Sequence, residues 1–239
     1  MRTEFVLVHG FSHGAWAWDL LRGRLEAKGH VVVAVELPGH GRRAHERTRA
    51  SVDGYAQAVA DAMVQAGLAR AVVVGHSMAG LVIPKVAELV PARVAHLVFL
   101  AAVVPESGRS MLETHIPPAL HPLLEGLARA GGGAIQYPAA FEWARWLGDL
   151  PPGDPRVADA LARMTPQPVR PLTEGVDLAR FHALGVPRTY VRCLRDAAVP
   201  PARAAEYARR LGVTPVDLDT AHNPMVSAPD RLAALLERI

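Results

Sequence analysis

Val72-Val73-Val74-Gly75-His76-Ser77-Met78-Ala79-Gly80 is the stretch that decides how this chain is read. Three consecutive valines suit a strand covered on both faces, because β-branched side chains fit a pleated, buried surface. Gly75 then permits a tight reversal, and the small residues after Ser77 let a helix start beside the strand. A serine at the tip of such a strand-to-helix turn has its hydroxyl lifted above the sheet edge, where it can act as a nucleophile. The Gly-x-Ser-x-Gly spacing has one departure, since Ala79 stands at the second glycine's place and Gly80 one residue later. Alanine adds only a methyl group, so the turn is expected to survive. The plain alternative is a serine that merely caps a helix.

Outward from this turn, short apolar runs alternate with helical patterns. Phe5–Val8, Val31–Val35, Ala71–Val74 and Val94–Ala101 read as strands; Ala15–Lys28, Val52–Ala66 (capped by Ser51) and Gly80–Val90 read as helices. Val31–Val35 is continuous enough to predict a strand buried on both faces. The alternation implies an α/β domain with a mostly parallel sheet and crossover helices on its faces. Near Pro105 the pattern breaks. Residues 105–185 are rich in proline and glycine, with short helical pieces such as Phe141–Leu147 and Pro155–Met164. The sheet pattern resumes with Arg188–Cys193, Ala202–Leu211 and Thr214–Leu218, where Pro215 favours an edge position. Ser227–Arg238 reads as a closing helix capped by Ser227. The expected organisation is a core of residues 1–104 and 186–239 with a helical cap, 105–185, inserted in it.

Composition agrees with one large globular domain. Half of the 239 residues are hydrophobic and 21% are charged, so a sizeable core is available and wholesale disorder is excluded. The net charge of +3 is scattered. Its densest run, Arg42 to Arg49, is interrupted and reads as a solvated loop, which argues against a nucleic-acid partner. The single cysteine, Cys193, cannot form an intrachain disulfide and reads as a buried thiol. The apolar run Phe5–Val8 is too short for a secretion signal, and no run reaches 18 apolar residues, so no membrane span is expected. A cytoplasmic protein is the expectation. No residue pattern fixes the oligomeric state; a homodimer is compatible with the sequence.

A serine hydroxyl needs a base. On a nucleophile turn of this type the partners follow in the order serine, acid, histidine. His222, in the loop between the last strand and the last helix, lies at the same sheet edge as Ser77. Asp196 follows the strand Arg188–Cys193 and can hold the imidazole in one tautomer. Asp217 and Asp219 are nearer in sequence but belong to a surface face. The developing oxyanion needs donors. The backbone N–H of Met78 is one, and that of Phe11, in the loop His9-Gly10-Phe11-Ser12-His13-Gly14, is the second. His9 and His13 are expected to brace this loop.

Phe5-Val6-Leu7-Val8-His9-Gly10, His13-Gly14-Ala15-Trp16, Leu37-Pro38-Gly39-His40-Gly41, Gly75-His76-Ser77-Met78 and His222-Asn223-Pro224-Met225 together resemble the plant methylesterase and hydroxynitrile lyase branch of the α/β-hydrolase superfamily and its bacterial relatives. The resemblance spans nearly the whole chain outside the cap. It implies an α/β-hydrolase fold, a triad of Ser77, Asp196 and His222, and oxyanion donors at Phe11 and Met78. The lyases carry a threonine and a lysine where this chain has Gly10 and Asn223, so the pattern is that of an esterase. Serine at position 77 also differs from the aspartate of haloalkane dehalogenases and epoxide hydrolases. Glu36, in place of the usual aspartate before Leu37-Pro38-Gly39, is expected to be structural.

These readings lead to acyl transfer from small, largely apolar methyl or aryl esters through a covalent intermediate. No metal or cofactor is expected, because no Cys/His cluster has ligand spacing. The substrate pocket is expected from Phe11, His13, Met111, His115, Trp143 and Trp146, with Leu112 and Met164 as further candidates. A lyase, a C–C bond hydrolase or lactonase, and a small-molecule receptor with slow turnover are the competing readings, since fold alone does not settle function.

Overall fold

The computed structural model describes residues 2–239. The chain runs β1 (Glu4–Val8), α1 (Asp19–Glu26), β2 (Val31–Val35), α2 (Val52–Gln65), β3 (Ala71–His76), α3 (Val82–Leu89) and β4 (Val94–Leu100). There follow α4 (Met111–His115), α5 (His121–Ala130), β5 (Ala134–Ile135), α6 (Ala139–Trp146), α7 (Pro155–Arg163), β6 (Gln167–Pro168), α8 (Arg170–Thr173) and α9 (Ala179–Ala183). Then come β7 (Arg188–Cys193), α10 (Pro201–Arg210), β8 (Val216–Leu218), α11 (Pro224–Ser227) and α12 (Pro229–Leu236). Six strands form one parallel sheet in the order β2-β1-β3-β4-β7-β8.

Strand alternation sorts the core into two layers. Val6, Val8 and Val73 point to one face, against Tyr55, Ile83, Phe99 and Tyr207. Phe5, Leu7, Val72 and Val74 point to the other, against Trp18, Leu21, Met225 and Leu232. β3, the strand that carries the quoted motif, is buried at every residue. Among the described residues, no helix is long and apolar enough to cross a membrane.

Three local expectations need correction. β2 is an edge strand, half-buried at its first four residues, because an apolar run looks alike at a sheet's centre and at its edge. Ala15–Trp18 forms a 3₁₀ turn ahead of α1 rather than the helix's first turn. The closing helix is broken: Ser227 ends α11, and Ala228 takes the N-cap of α12 at φ −143°. Pro229 disfavours helical geometry at the residue before it, which forces the break. Between β4 and β7 a small antiparallel sheet, Ala134 opposite Pro168 and Ile135 opposite Gln167, joins the helices. α9 lies in the stretch read as cap, yet it packs on α3, with Phe181 fully buried 6.4 Å from Phe99. Pro215 precedes β8, which is an edge strand as its proline requires.

Candidate active site

Ser77 sits at the carboxyl end of β3 with φ +55°, a conformation that costs a non-glycine residue roughly 1–3 kcal/mol. The surrounding small residues hold it there. A Cβ on Gly75 would stand 2.7 Å from Ile83 Cγ2, and one on Gly80 would run into the Val103 carbonyl. Ala79 is fully buried, so the methyl group at the departing motif position is accommodated, and the tight spot falls at Gly80 instead. The Ser77 carbonyl accepts a hydrogen bond from Val103 N–H at 3.0 Å.

Asp196 follows β7 and is buried. Its Oδ1 accepts from Ala198 N–H at 2.7 Å and Val199 N–H at 2.8 Å. Its Oδ2 accepts from His222 Nδ1–H at 2.7 Å. That bond leaves the His222 Nε2 lone pair available at the sheet edge where Ser77 stands. The Ser77 hydroxyl and His222 do not hydrogen-bond in this structure, a contact that in free hydrolases often tightens only with substrate. Asp217 and Asp219 are exposed and taken up by Arg192 at 2.7 Å and Arg195 at 2.9 Å.

The loop after β1 approaches Ser77 from the other side. A Cβ on Gly10 would lie 2.8 Å from Ser77 Cβ and 2.9 Å from the His76 carbonyl, so only glycine fits without movement. His9 Nδ1–H donates to the Gly10 carbonyl at 3.0 Å, and its Nε2 accepts from Leu37 N–H at 3.2 Å. His13 Nδ1–H donates to the Phe11 carbonyl at 2.6 Å, and its Nε2 accepts from Asn223 Nδ2 at 2.8 Å. Burial pushes His9 down to about 4 and His13 to about 3, so both rings stay neutral and their tautomers are fixed. Glu36 supports the same loop, accepting from Ala15 N–H at 2.9 Å. Ser12 N–H goes to Gln167 Oε1 at 3.0 Å and the Ser12 carbonyl to Thr165 N–H at 2.9 Å. Phe11 N–H is not among the bonded groups of this loop. Met78 N–H, in the first turn of a 3₁₀ segment, has no acceptor within that turn.

Ser77 and Phe11 bound an apolar cavity of about 200 Å³. Met111, Leu112, His115 and Trp146 line it, as do Tyr137, Phe141, Arg145 and Leu172. His13 and Trp143, expected on the wall, are not on it. His13 is buried and stacked on Trp16 at 5.4 Å, while Trp143 Nε1–H donates to the Leu150 carbonyl at 3.0 Å. Met164 is buried in the core layer of Trp18 and Leu21 and does not line the cavity. His115 is on the wall but saturated. Its Nε2–H donates to the Ala198 carbonyl at 2.9 Å, its Nδ1 accepts from Tyr207 at 3.0 Å, and burial lowers its pKa to about 4.

Sequence reasoning missed the outer supports. Gln167 and Thr165 hold the loop at Ser12, Asp149 Oδ2 accepts from Ala221 N–H at 2.9 Å, and the Trp146 carbonyl accepts from Asn223 N–H at 3.2 Å. None of these sits in a recognisable motif. Only Asn223 carried a signal, as the residue that replaces lysine.

A buried Asp–His pair beside a strained serine, on a parallel sheet with an apolar cavity above, defines an α/β hydrolase. The chain belongs to the alpha/beta hydrolase family, whose model matches residues 5–235. Methylesterase 7 of Arabidopsis thaliana is 29% identical over 261 residues, covering 100% of this chain and 96% of the relative. Salicylic acid-binding protein 2 of Nicotiana tabacum is 28% identical over 251 residues, covering 99% of this chain and 96% of the relative. Among solved structures, an extracellular alpha/beta-hydrolase from a Paenibacillus species superposes with a TM-score of 0.90 at 26% identity, covering 99% of this chain and 98% of that one. That hydrolase is described as sharing structural and functional homology with the tobacco protein. The chain is an α/β hydrolase with modest identity to proteins named as methylesterases.

Proposed function

We propose that this protein is a serine esterase that cleaves small, largely apolar carboxylic esters through an acyl-enzyme on Ser77. The observation that carries the reading is the Asp196–His222 hydrogen bond of 2.7 Å at the sheet edge that also presents Ser77 at φ +55°. Ser77 Oγ attacks the ester carbonyl while its proton passes to His222 Nε2. The carbonyl oxygen takes up the negative charge and is met by the N–H groups of Phe11 and Met78. The tetrahedral species collapses, and the departing alkoxide takes the proton from His222. Water, giving its proton to His222, then attacks the acyl carbon; the acid leaves and Ser77 recovers its proton. Asp196 holds His222 in the tautomer that serves both steps.

The cavity supports a small acyl or alcohol group. An apolar void of about 150 Å³ is enough to bind benzene. The roughly 200 Å³ here suits one ring or a short chain. A lyase finds no support at its two marker positions. Gly10 has no room for a Cβ, and buried Asn223 is neutral and committed to His13.

The test is hydrolysis of p-nitrophenyl esters of increasing acyl length by the protein and by Ser77→Ala. Turnover that falls by about 10⁴-fold or more in Ser77→Ala supports the reading. Turnover that survives unchanged assigns the chemistry elsewhere, and a folded protein that turns over no ester points to a receptor or another reaction class.

A further inference from the structure

The wall of the ester cavity is apolar apart from a few polar groups, and one of these is a cation. Among the described residues that line it, Arg145 alone carries a fixed charge, since burial holds His115 neutral. Arg145 also faces a shallow outer groove together with Arg203, so it stands at the partition between cavity and solvent. Its guanidinium lies 5.7 Å from the centre of the Phe141 ring. Its one hydrogen bond within the protein is a long one, from Nη2 to the Ala198 carbonyl at 3.4 Å. A guanidinium has five N–H donors in a fork shaped for a carboxylate, and most of them here are unused.

Nearby acids do not neutralise it. Glu206, on the outer groove, is held by Arg210 at 2.6 Å and Arg203 at 3.0 Å. Asp149, four residues on and past the end of α6, accepts from Ala221 N–H at 2.9 Å through Oδ2. Glu142, one turn back, is buried, and burial raises its carboxyl to about 7. An unpaired, partly desolvated cation at the end of an apolar passage attracts an anion more strongly than one in open water.

We propose that Arg145 forms an anion-binding subsite at the mouth of the ester cavity. The preferred substrates are half-esters, short apolar acids esterified at one end and carrying an ionised carboxylate at the other. The inference rests on the esterase reading and adds the substrate class. The reacting carbonyl sits at Ser77, the methylene chain fills the apolar passage, and the free carboxylate meets the Arg145 fork.

The test compares monomethyl succinate, glutarate and adipate with methyl esters of monoacids of equal chain length. The quantity is the ratio of kcat/KM for half-ester over neutral ester, in the native protein, Arg145→Gln and Arg145→Lys. We expect a ratio above one in the native protein that falls by about 10- to 100-fold in Arg145→Gln, the range for a charge-assisted pair. Arg145→Lys should retain part of it, and added salt should erode it in the native protein. A native ratio of one or less, or a ratio unchanged in Arg145→Gln, overturns the proposal and leaves Arg145 as a brace for the Ala198 carbonyl. Calorimetric binding of the half-esters to Ser77→Ala, with and without Arg145→Gln, needs no turnover. Binding that depends on Arg145 supports the subsite, and equal binding overturns it. Neutral esters hydrolysed without any Arg145-dependent preference would sink this inference alone; absence of all ester hydrolysis would sink the esterase reading and the half-ester substrates with it, leaving the anion subsite to be decided by the calorimetry.

Discussion

Replacing Asp196 by asparagine isolates the part of the site that depends on one proton. The side chain is isosteric, and the two backbone donors from Ala198 and Val199 both address Oδ1. Asparagine satisfies them only by placing its carbonyl oxygen there, which turns the NH₂ toward His222. A donor facing Nδ1 forces the ring proton onto Nε2, and His222 can no longer take a proton from Ser77. Rotating the amide to restore the working tautomer would set NH₂ against both N–H groups. Each buried donor left unsatisfied costs about 1–3 kcal/mol, so the rotation costs about 2–6 kcal/mol. At about 1.4 kcal/mol per tenfold, the working form then makes up roughly one molecule in 30 to one in 2 × 10⁴. The expected result is a fall in kcat of roughly 30-fold to 10⁴-fold with little change in KM, measured on a short p-nitrophenyl ester, with the melting temperature near that of the native protein. A folded Asp196→Asn protein whose kcat stays within about threefold of native would refute the tautomer argument.

Gly10→Ala should force a Cβ to within 2.8 Å of Ser77 Cβ, costing about 1–3 kcal/mol of stability in a thermal melt and more activity than stability. Gln167→Leu should strand the Ser12 N–H, at about 1–3 kcal/mol, and lower kcat more than it raises KM; an effect on KM alone would contradict a role in holding the loop. Asn223→Leu should leave His13 Nε2 without a partner and lower kcat through the Phe11 loop, which steady-state kinetics will show. Stability should also depend on pH. His9, His13 and His115 have folded-state values of about 4, 3 and 4, below the unfolded value of 6.5. The unfolded chain therefore binds more protons between pH 4 and 6.5. Their contribution is complete above about 6.5 and is lost as pH falls, at up to about 1.4 kcal/mol per pH unit for each group. Denaturant melts at pH 5 and 7 that coincide would contradict this.

Much of the core was legible because its signals are local. Three valines ahead of Gly75 specify β3, and a buried strand entering a turn at Ser77 needs no distant information. The positions of Asp196 and His222 follow from parallel topology, which brings the carboxyl ends of β7 and β8 to the edge that holds Ser77. What stayed hidden depends on neighbours far along the chain. The edge position of β2 is set by which strand it lacks, and no residue in Val31–Val35 records that. The break at Ala228 is written in Pro229, against the competing signal of Ser227 as a helix cap. In the cap, Trp143 and Trp146 are alike in type and three residues apart. One lines the cavity and the other turns to the Leu150 carbonyl, a choice made by packing on the sheet. Phe181 shows the same limit, since a short helix inside a proline-rich stretch gives no sign that its ring reaches the core.

The bonds from Thr165 and Gln167 to Ser12, and from Trp146 and Asp149 to the segment around His222, bear on how such enzymes can be re-engineered. Grafting a foreign cap between β4 and β7 to change specificity exchanges more than the pocket wall. It also removes the outer scaffolding of the Phe11 loop and of the segment that carries His222. A chimera that keeps every core residue would then fold and bind its new substrate, yet turn it over slowly, unless the graft carries equivalent donors and acceptors at those four positions.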